Sequence, residues 1–330
     1  MQSNLNFDPN ENKYMPKPSS LDVGELYKMY KSYAFSIAYR MLGTVTEAED
    51  IVQDCFAGLQ SMVNQENQDI QDIHQPKAYL AKLIVNRCLN LQNSARNQRE
   101  HYVGEWLPEP LGVYETINTP EEAIQQKEMI SYAYLVMLER LSPMERAVFV
   151  LREAFEHDYS EIAGWLGKTE SNCRQIYSRA RRNLPEKLPA MDPPNADWKT
   201  KEEILGRFTT AFLRHDVSAM LELLTDQPVF TADGGGVVRT IMKTMRVHQG
   251  VLAILTSPRV LISLREREWK PAFINGEPQL ALMKDGQVSE VVCVEMNTSG
   301  DRIHGVYLIV NPHKLSTVQP LGEDYNQCKN

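Results

Sequence analysis

The sequence predicts a multidomain protein: two all-α domains, the second carrying a helix-turn-helix, followed by one α+β domain. Three observations carry this. Apolar residues recur three or four apart through the first 190 residues, the spacing of helices that bury one face. A stretch from 188 to 197 with three prolines, Pro189, Pro193 and Pro194, then breaks the pattern. Beyond it, two helical segments lead into short β-branched runs separated by glycine-containing turns. A length of 330 residues accommodates these units, and no internal repeat is visible.

The first 20 residues are rich in Asn, Lys and Pro and lack the apolar stretch of a secretory signal, so they read as a disordered arm. Residues 21–99 form the first domain. Its first helix shows a stripe of Leu26, Tyr30, Tyr33, Ile37 and Met41. Thr46 and Glu49 have capping-box spacing and are expected to open a second helix. After a Gln/Asn/Asp-rich loop, Pro76 suits the first turn of a third, which ends near Gln98. Residues 100–118 form a linker. Trp106, Leu107 and Leu111 are large apolar groups that a solvated linker would lack, so they are expected to dock.

The second domain covers 119–187. Thr119-Pro120-Glu121-Glu122 and Ser142-Pro143-Met144-Glu145 are start signals for helices near 120–140 and 143–156. Two shorter helices follow, split by Gly167-Lys168-Thr169. After the linker at 188–197, the third domain, 198–316, is expected to hold helices over 198–214 and 217–224. Strands are then expected over 228–232, 259–269, 272–274, 279–284, 288–297 and 302–310, before a tail at 317–330.

Composition excludes several classes. At 42% hydrophobic and 24% charged, the chain is not disordered throughout. It has no run of 18 apolar residues, so no membrane partner is expected. Cys55, Cys88, Cys173, Cys293 and Cys328 are far apart and form no C-x-x-C pair. That argues against a zinc site or disulfide framework, and a reducing cytoplasm is expected, with no metal or cofactor. The net charge of −8 argues against a free-standing nucleic-acid binder. It hides a local excess, however. Residues 168–187 hold six bases against Glu170 and Glu186, while Glu100, Glu105, Glu109 and Glu115 in the first linker face no base.

That basic stretch falls on a helix-turn-helix pattern. Ala163 is small where two helices cross, Gly167 permits the turn, and Cys173 and Ile176 face inward. Ser171, Arg174, Gln175, Ser178, Arg179 and Arg182 are left outward. Arg and Gln bond base edges bidentately, and Thr169 and Ser171 sit at the helix start, where phosphates bind. In the third helix, Lys82, Asn86, Asn90, Asn93 and Asn97 fall nearly four apart beside Arg87. Asn is a poor helix former, so this amide stripe suits base contacts, although a plain polar face gives the same pattern. Asp50, Gln53 and Asp54 share one face of the second helix, fit for a basic protein partner or for solvent. The triplet Gly234-Gly235-Gly236 suits a loop touching another domain, or a hairpin turn. His215, Asp216, Asp233 and His248 are the acid–base candidates of the third domain, and they show no paired spacing.

Glu47-Ala48-Glu49-Asp50-Ile51-Val52-Gln53-Asp54-Cys55-Phe56 resembles the core-polymerase-binding segment of bacterial sigma factors. Residues 78–99 look like the −10 reading helix of that family, and 159–184 resemble its −35 reading helix-turn-helix. With no domain between them, the order resembles the extracytoplasmic-function class. Trp106-Leu107-Pro108-Glu109-Pro110, Asp233-Gly234-Gly235-Gly236 and Asn311-Pro312-His313-Lys314-Leu315 are similar to motifs of the subgroup with a C-terminal SnoaL-like domain. That domain is a cone similar to nuclear transport factor 2. Two positions depart from the subgroup: Arg239 follows Val237 and Val238 where a Lys is usual, and could substitute for it, and His313 replaces an Asp.

The resemblance implies a sigma factor rather than an enzyme, with RNA polymerase core and promoter DNA as partners. Asp50, Gln53 and Asp54 would bind the polymerase clamp. Lys82, Asn86, Arg87 and Asn90 would engage the melted −10 strand, and the outward face of the helix-turn-helix would enter the −35 duplex. The three subgroup motifs would join the third domain to the others and regulate them in cis, with no separate anti-sigma factor and with room for a small-molecule ligand of the C-terminal domain. A helix-turn-helix repressor or activator and a fused SnoaL-like enzyme are the rival readings.

Overall fold

The computed structural model describes residues 22–64, 75–99, 102–112, 130–189 and 198–321. The expected N-terminal arm, the start signal at Thr119, most of the Pro-rich linker and most of the tail lie outside the described residues.

Helix α1, Val23–Leu42, starts where Asp22 accepts a hydrogen bond from the Gly24 N–H at 2.8 Å, and ends at Gly43, whose φ of 72° is left-handed. Helix α2, Val45–Asn64, follows at once. Its cap is not the expected Thr46–Glu49 pair. The Gly43 turn brings the chain back two residues sooner, so Thr44 donates to Glu47 Oε2 at 2.5 Å and occupies the start. Helix α3, Pro76–Arg99, opens on Pro76 as expected. In the second unit, Ser131 caps α4, Tyr132–Leu138, and a capping box of Ser142 and Glu145 opens α5, Pro143–Glu153. Helices α6, Tyr159–Leu166, and α7, Glu170–Asn183, are separated by Gly167 at φ 61°. The two units do not stand apart. Ile37 and Leu42 of α1, Ile84 of α3, Phe149 of α5 and Ile162 of α6 belong to one continuous buried core.

The third unit begins with α8, Trp198–Arg214, and α9, Val217–Leu223, and continues into β1, Leu224–Asp233. Two helices come next, α10, His248–Leu255, and α11, Pro258–Arg265. Strands β2, Glu268–Ile274, β3, Glu277–Lys284, β4, Gln287–Met296, and β5, Ile303–Ile309, complete a sheet of order β1-β5-β4-β3-β2. Only the β1–β5 pairing is parallel.

The strand expected over 259–269 is therefore mostly helix. Ser257-Pro258 places a proline at the first helical position, and burial of Leu264 on the core of the third unit overrides the β-branched composition. β2 is an edge strand, which is why it tolerates Pro271.

The sheet is apolar on both faces. One face, with Phe230, Leu282, Val292 and Val306, packs under α8 to α11. The other, with Ala281, Val291, Cys293 and Ile309, receives Leu107 of the linker and Tyr132 of α4. A β-sheet with one face covered by another unit's helix holds the three units together.

Candidate functional site

The linker touches all three units, and its Tyr102 and Leu107 meet on one buried carboxylate. Asp233, at the end of β1, is fully buried. It accepts hydrogen bonds from the Tyr102 hydroxyl at 2.6 Å, the Leu107 N–H at 2.8 Å and the Gly235 N–H at 2.9 Å. Lys314 completes the set, 2.7 Å from Asp233 and bonded to the Leu107 carbonyl. Its ammonium also lies 4.0 Å from the centre of the Trp106 ring, a cation–π contact. Asn311 opens the 3₁₀ turn Pro312–Lys314 by accepting from the His313 N–H, and its amide donates to Tyr102 at 3.0 Å. Leu315 is buried against the same sheet face as Leu107.

The glycine triplet serves both expected purposes. Gly234 accepts from the N–H groups of Val237 and Val238, so it closes a turn. Gly235, at φ 59°, leaves no room for a side chain, since a Cβ there would lie 2.3 Å from the Asn311 amide nitrogen. Gly236 approaches Val103 of the linker. Arg239 and His313 are both exposed, and Arg239 forms no salt bridge among the described residues. The cation that reaches Asp233 is Lys314, on the 3₁₀ turn.

The rest of the linker ties the first unit to the third. Trp106 lies over Gly43, where a Cβ would meet its ring at 2.7 Å. Glu109 accepts from the Val45 N–H at 2.8 Å, satisfying an orphan donor at the start of α2. Burial raises the pKa of that carboxyl, opposed by the hydrogen bonds from Val45 and Thr46. Pro108 accepts from the Tyr132 hydroxyl at 2.8 Å. Tyr39 of α1 donates to the Glu109 carbonyl at 2.7 Å and meets Asn275, whose N–H bonds Leu111 at 2.8 Å. Asn275-Gly276, with φ of 54° and 75°, is a tight hairpin turn between β2 and β3. Tyr102, Asn275 and Tyr132 were not foreseen; Asn-Gly signals a turn, but nothing local says what that turn touches.

The DNA-facing candidates are arranged as follows. On α7, Ser171, Arg174, Gln175, Ser178, Arg179 and Arg182 are all exposed, with Cys173, Ile176 and Ala180 buried beneath. Arg174 stacks 4.4 Å from the Tyr159 ring centre and lies 3.6 Å from Glu170. On α2, Asp50, Gln53 and Asp54 are exposed together, over Ile51, Val52 and Cys55. On α3, Lys82 and Asn90 are exposed, while Arg87 reaches Asp54 at 3.6 Å. Asn86 is half-buried and donates to the Trp165 carbonyl of α6 at 3.2 Å. The amide read as a base contact is here a contact between the first two units. Two further bonds span that seam. Arg146 donates to the Met41 carbonyl at 2.9 Å, and Tyr33 meets His157 at 2.9 Å.

The acid–base candidates of the third unit do not form a catalytic set. His215 follows α8 in a left-handed conformation, Asp216 caps α9, His248 opens α10, and Asp233 is committed to the linker.

A basic helix-turn-helix, a first helical unit with Lys82 and Asn90 exposed, and an α+β unit packed against both define a DNA-binding transcription factor. Residues 26–99 match the family model for sigma-70 region 2, and 131–184 match that for sigma-70 region 4. The ECF RNA polymerase sigma factor SigJ of Mycobacterium tuberculosis is 32% identical over 80% of this chain and 78% of its own length. The probable ECF RNA polymerase sigma factor SigI of the same species is 26% identical over 91% of this chain and 96% of its own. The crystal structure of SigJ superposes with a TM-score of 0.68 at 27% identity, covering 91% of this chain and all of that one. The chain belongs to the extracytoplasmic-function RNA polymerase sigma factors. It is a transcription initiation factor and not an enzyme. No helix among the described residues is long and apolar enough to cross a membrane.

Proposed function

We propose that this sigma factor is held closed by its own C-terminal domain until core polymerase and promoter DNA pull it open. The single observation that supports this is Asn86 bonded to Trp165. The −10 and −35 elements lie about 25 base pairs apart, roughly 80 Å at 3.4 Å per pair. Helices that touch one another cannot occupy both elements at once. The Asp233–Lys314 clamp holds the linker, and the linker holds α1 and α4, so the third domain favours the closed arrangement.

In this reading Asp50, Gln53 and Asp54 contact the polymerase clamp and stay accessible in the closed state. Core polymerase therefore engages region 2 first. Opening then frees Asn86 to join Lys82, Arg87 and Asn90 on the melted −10 strand, while α7 enters the −35 major groove. The cytoplasm, where core polymerase resides, is the working compartment. Run-off transcription with purified bacterial core polymerase tests this. Trp106→Ala should raise transcription from a cognate promoter several-fold over wild type at limiting polymerase. Equal or lower output from a folded Trp106→Ala protein would overturn the closed-state reading.

A further inference from the structure

A cavity of about 1020 Å³ lies where α4, both linkers and the Leu107-bearing side of the sheet meet. It is not the interior of the third domain, which its own apolar core fills. Its walls are mixed: Trp106, Val136, Met137 and Trp198 supply an apolar part, and charged and hydroxyl side chains the rest. Its carboxylates are each partnered. Glu277 pairs with Lys201 at 2.6 Å and Glu139 with Arg146 at 2.7 Å. Glu105 accepts from the Thr244 N–H at 3.1 Å, and Glu295 accepts from the Tyr307 hydroxyl at 2.5 Å. Burial also raises the pKa of the Glu295 carboxyl, opposed by the Tyr307 hydrogen bond.

The cations are the reverse. Arg140, Lys187 and Arg246 line the cavity from three separate segments, and none forms a salt bridge among the described residues. Arg140 and Arg246 both act electrostatically on the Tyr307 hydroxyl, and Arg140 also acts on the Glu295 carboxylate. The Trp198 indole N–H, also on the wall, is buried and has no hydrogen-bond partner among the described residues. A chamber with an apolar part, cations outside any salt bridge and a spare donor fits a ligand with one anionic end and an apolar body.

We propose that this cavity binds an amphipathic organic anion, with a carboxylate, sulfonate or phosphate group between Arg140 and Arg246 and an apolar body against Trp106 and Trp198. Because its walls come from region 4, the linkers and the C-terminal domain, the ligand binds the closed form and stabilises it by linkage. That consequence for transcription rests on the closed-state reading; the binding itself does not.

Titration of the full-length protein with 1-anilinonaphthalene-8-sulfonate, read by energy transfer from tryptophan, tests the site. The expected result is saturable binding of one probe per chain, displaced by dodecanoate and at least tenfold weaker in Arg140→Gln/Arg246→Gln. The uncharged analogue N-phenyl-1-naphthylamine should bind wild type at least tenfold more weakly than the sulfonate. Equal binding of the two probes, no displacement by dodecanoate, or unchanged affinity in the double variant would overturn the proposal. The comparison of probes on wild type holds even if the double variant fails to fold. Failure of the closed-state reading would instead leave probe binding intact and transcription insensitive to the ligand.

Discussion

Asp233 and Lys314 form an ion pair that has left water altogether, with the carboxylate also taking two backbone N–H groups and a tyrosine hydroxyl. Removing one partner of such a pair strands the other, at a cost of about 3–5 kcal/mol. Lys314→Met should therefore lower the stability of the full chain by about that much in urea denaturation. A loss below about 1 kcal/mol would show that the clamp is not held by charge. Glu109 gives a pH signature. Burial raises its folded pKa above the ordinary 4.5, so its contribution is fully present below 4.5 and is lost as pH rises through the raised value. Glu109→Gln has no such proton to lose, so its thermal midpoint should fall less than that of wild type as pH rises above 4.5. Parallel curves for the two proteins would contradict this. Much at this scale was legible in the sequence, because Asp233, Lys314 and the Trp106–Pro110 run stand in recognisable motifs. Tyr102 and Asn275 were not legible. Each is a single polar residue whose partner lies more than a hundred positions away, and no periodicity encodes such a pairing.

At the level of elements, α7 is the clearest case of sequence dictating function. Its buried residues, Cys173, Ile176 and Ala180, recur at helical spacing and force the basic residues outward. Arg174 is further fixed by the Tyr159 ring and Glu170. Arg174→Ala should weaken −35 binding by about 1–3 kcal/mol and relax base preference at one position, measured by competition against a promoter library. An equal loss on every sequence would assign Arg174 to phosphate alone. Helix α3 shows the opposite. The Asn stripe was visible, but its use by region 4 was not, since an exposed amide face suits a carbonyl as well as a base. α11 misled for a third reason: seven or eight residues rich in Val, Ile and Leu are too short for periodicity to choose between strand and helix. Only the Ser-Pro start and the core beneath decided it.

Over the whole molecule, the acidic balance of −8 becomes intelligible. Bases cluster on α7, the face proposed to meet promoter DNA, while acids lie exposed on α2, the face proposed to meet polymerase, or in the linker. Glu109 from that linker is buried as a cap rather than solvated. Such a subunit should bind DNA weakly alone and well within a larger, basic assembly. The continuous core joining regions 2 and 4 means that opening would expose apolar surface, so in the proposed mechanism binding energy from core polymerase and promoter must offset that exposure. The most direct measurement is the distance between fluorophores placed at the exposed positions Gln60 on α2 and Ser160 on α6, by energy transfer in the full-length protein. The account predicts high transfer in the free protein and a large loss on forming the promoter complex with core polymerase. Unchanged transfer in a complex that supports promoter-specific transcription would contradict it.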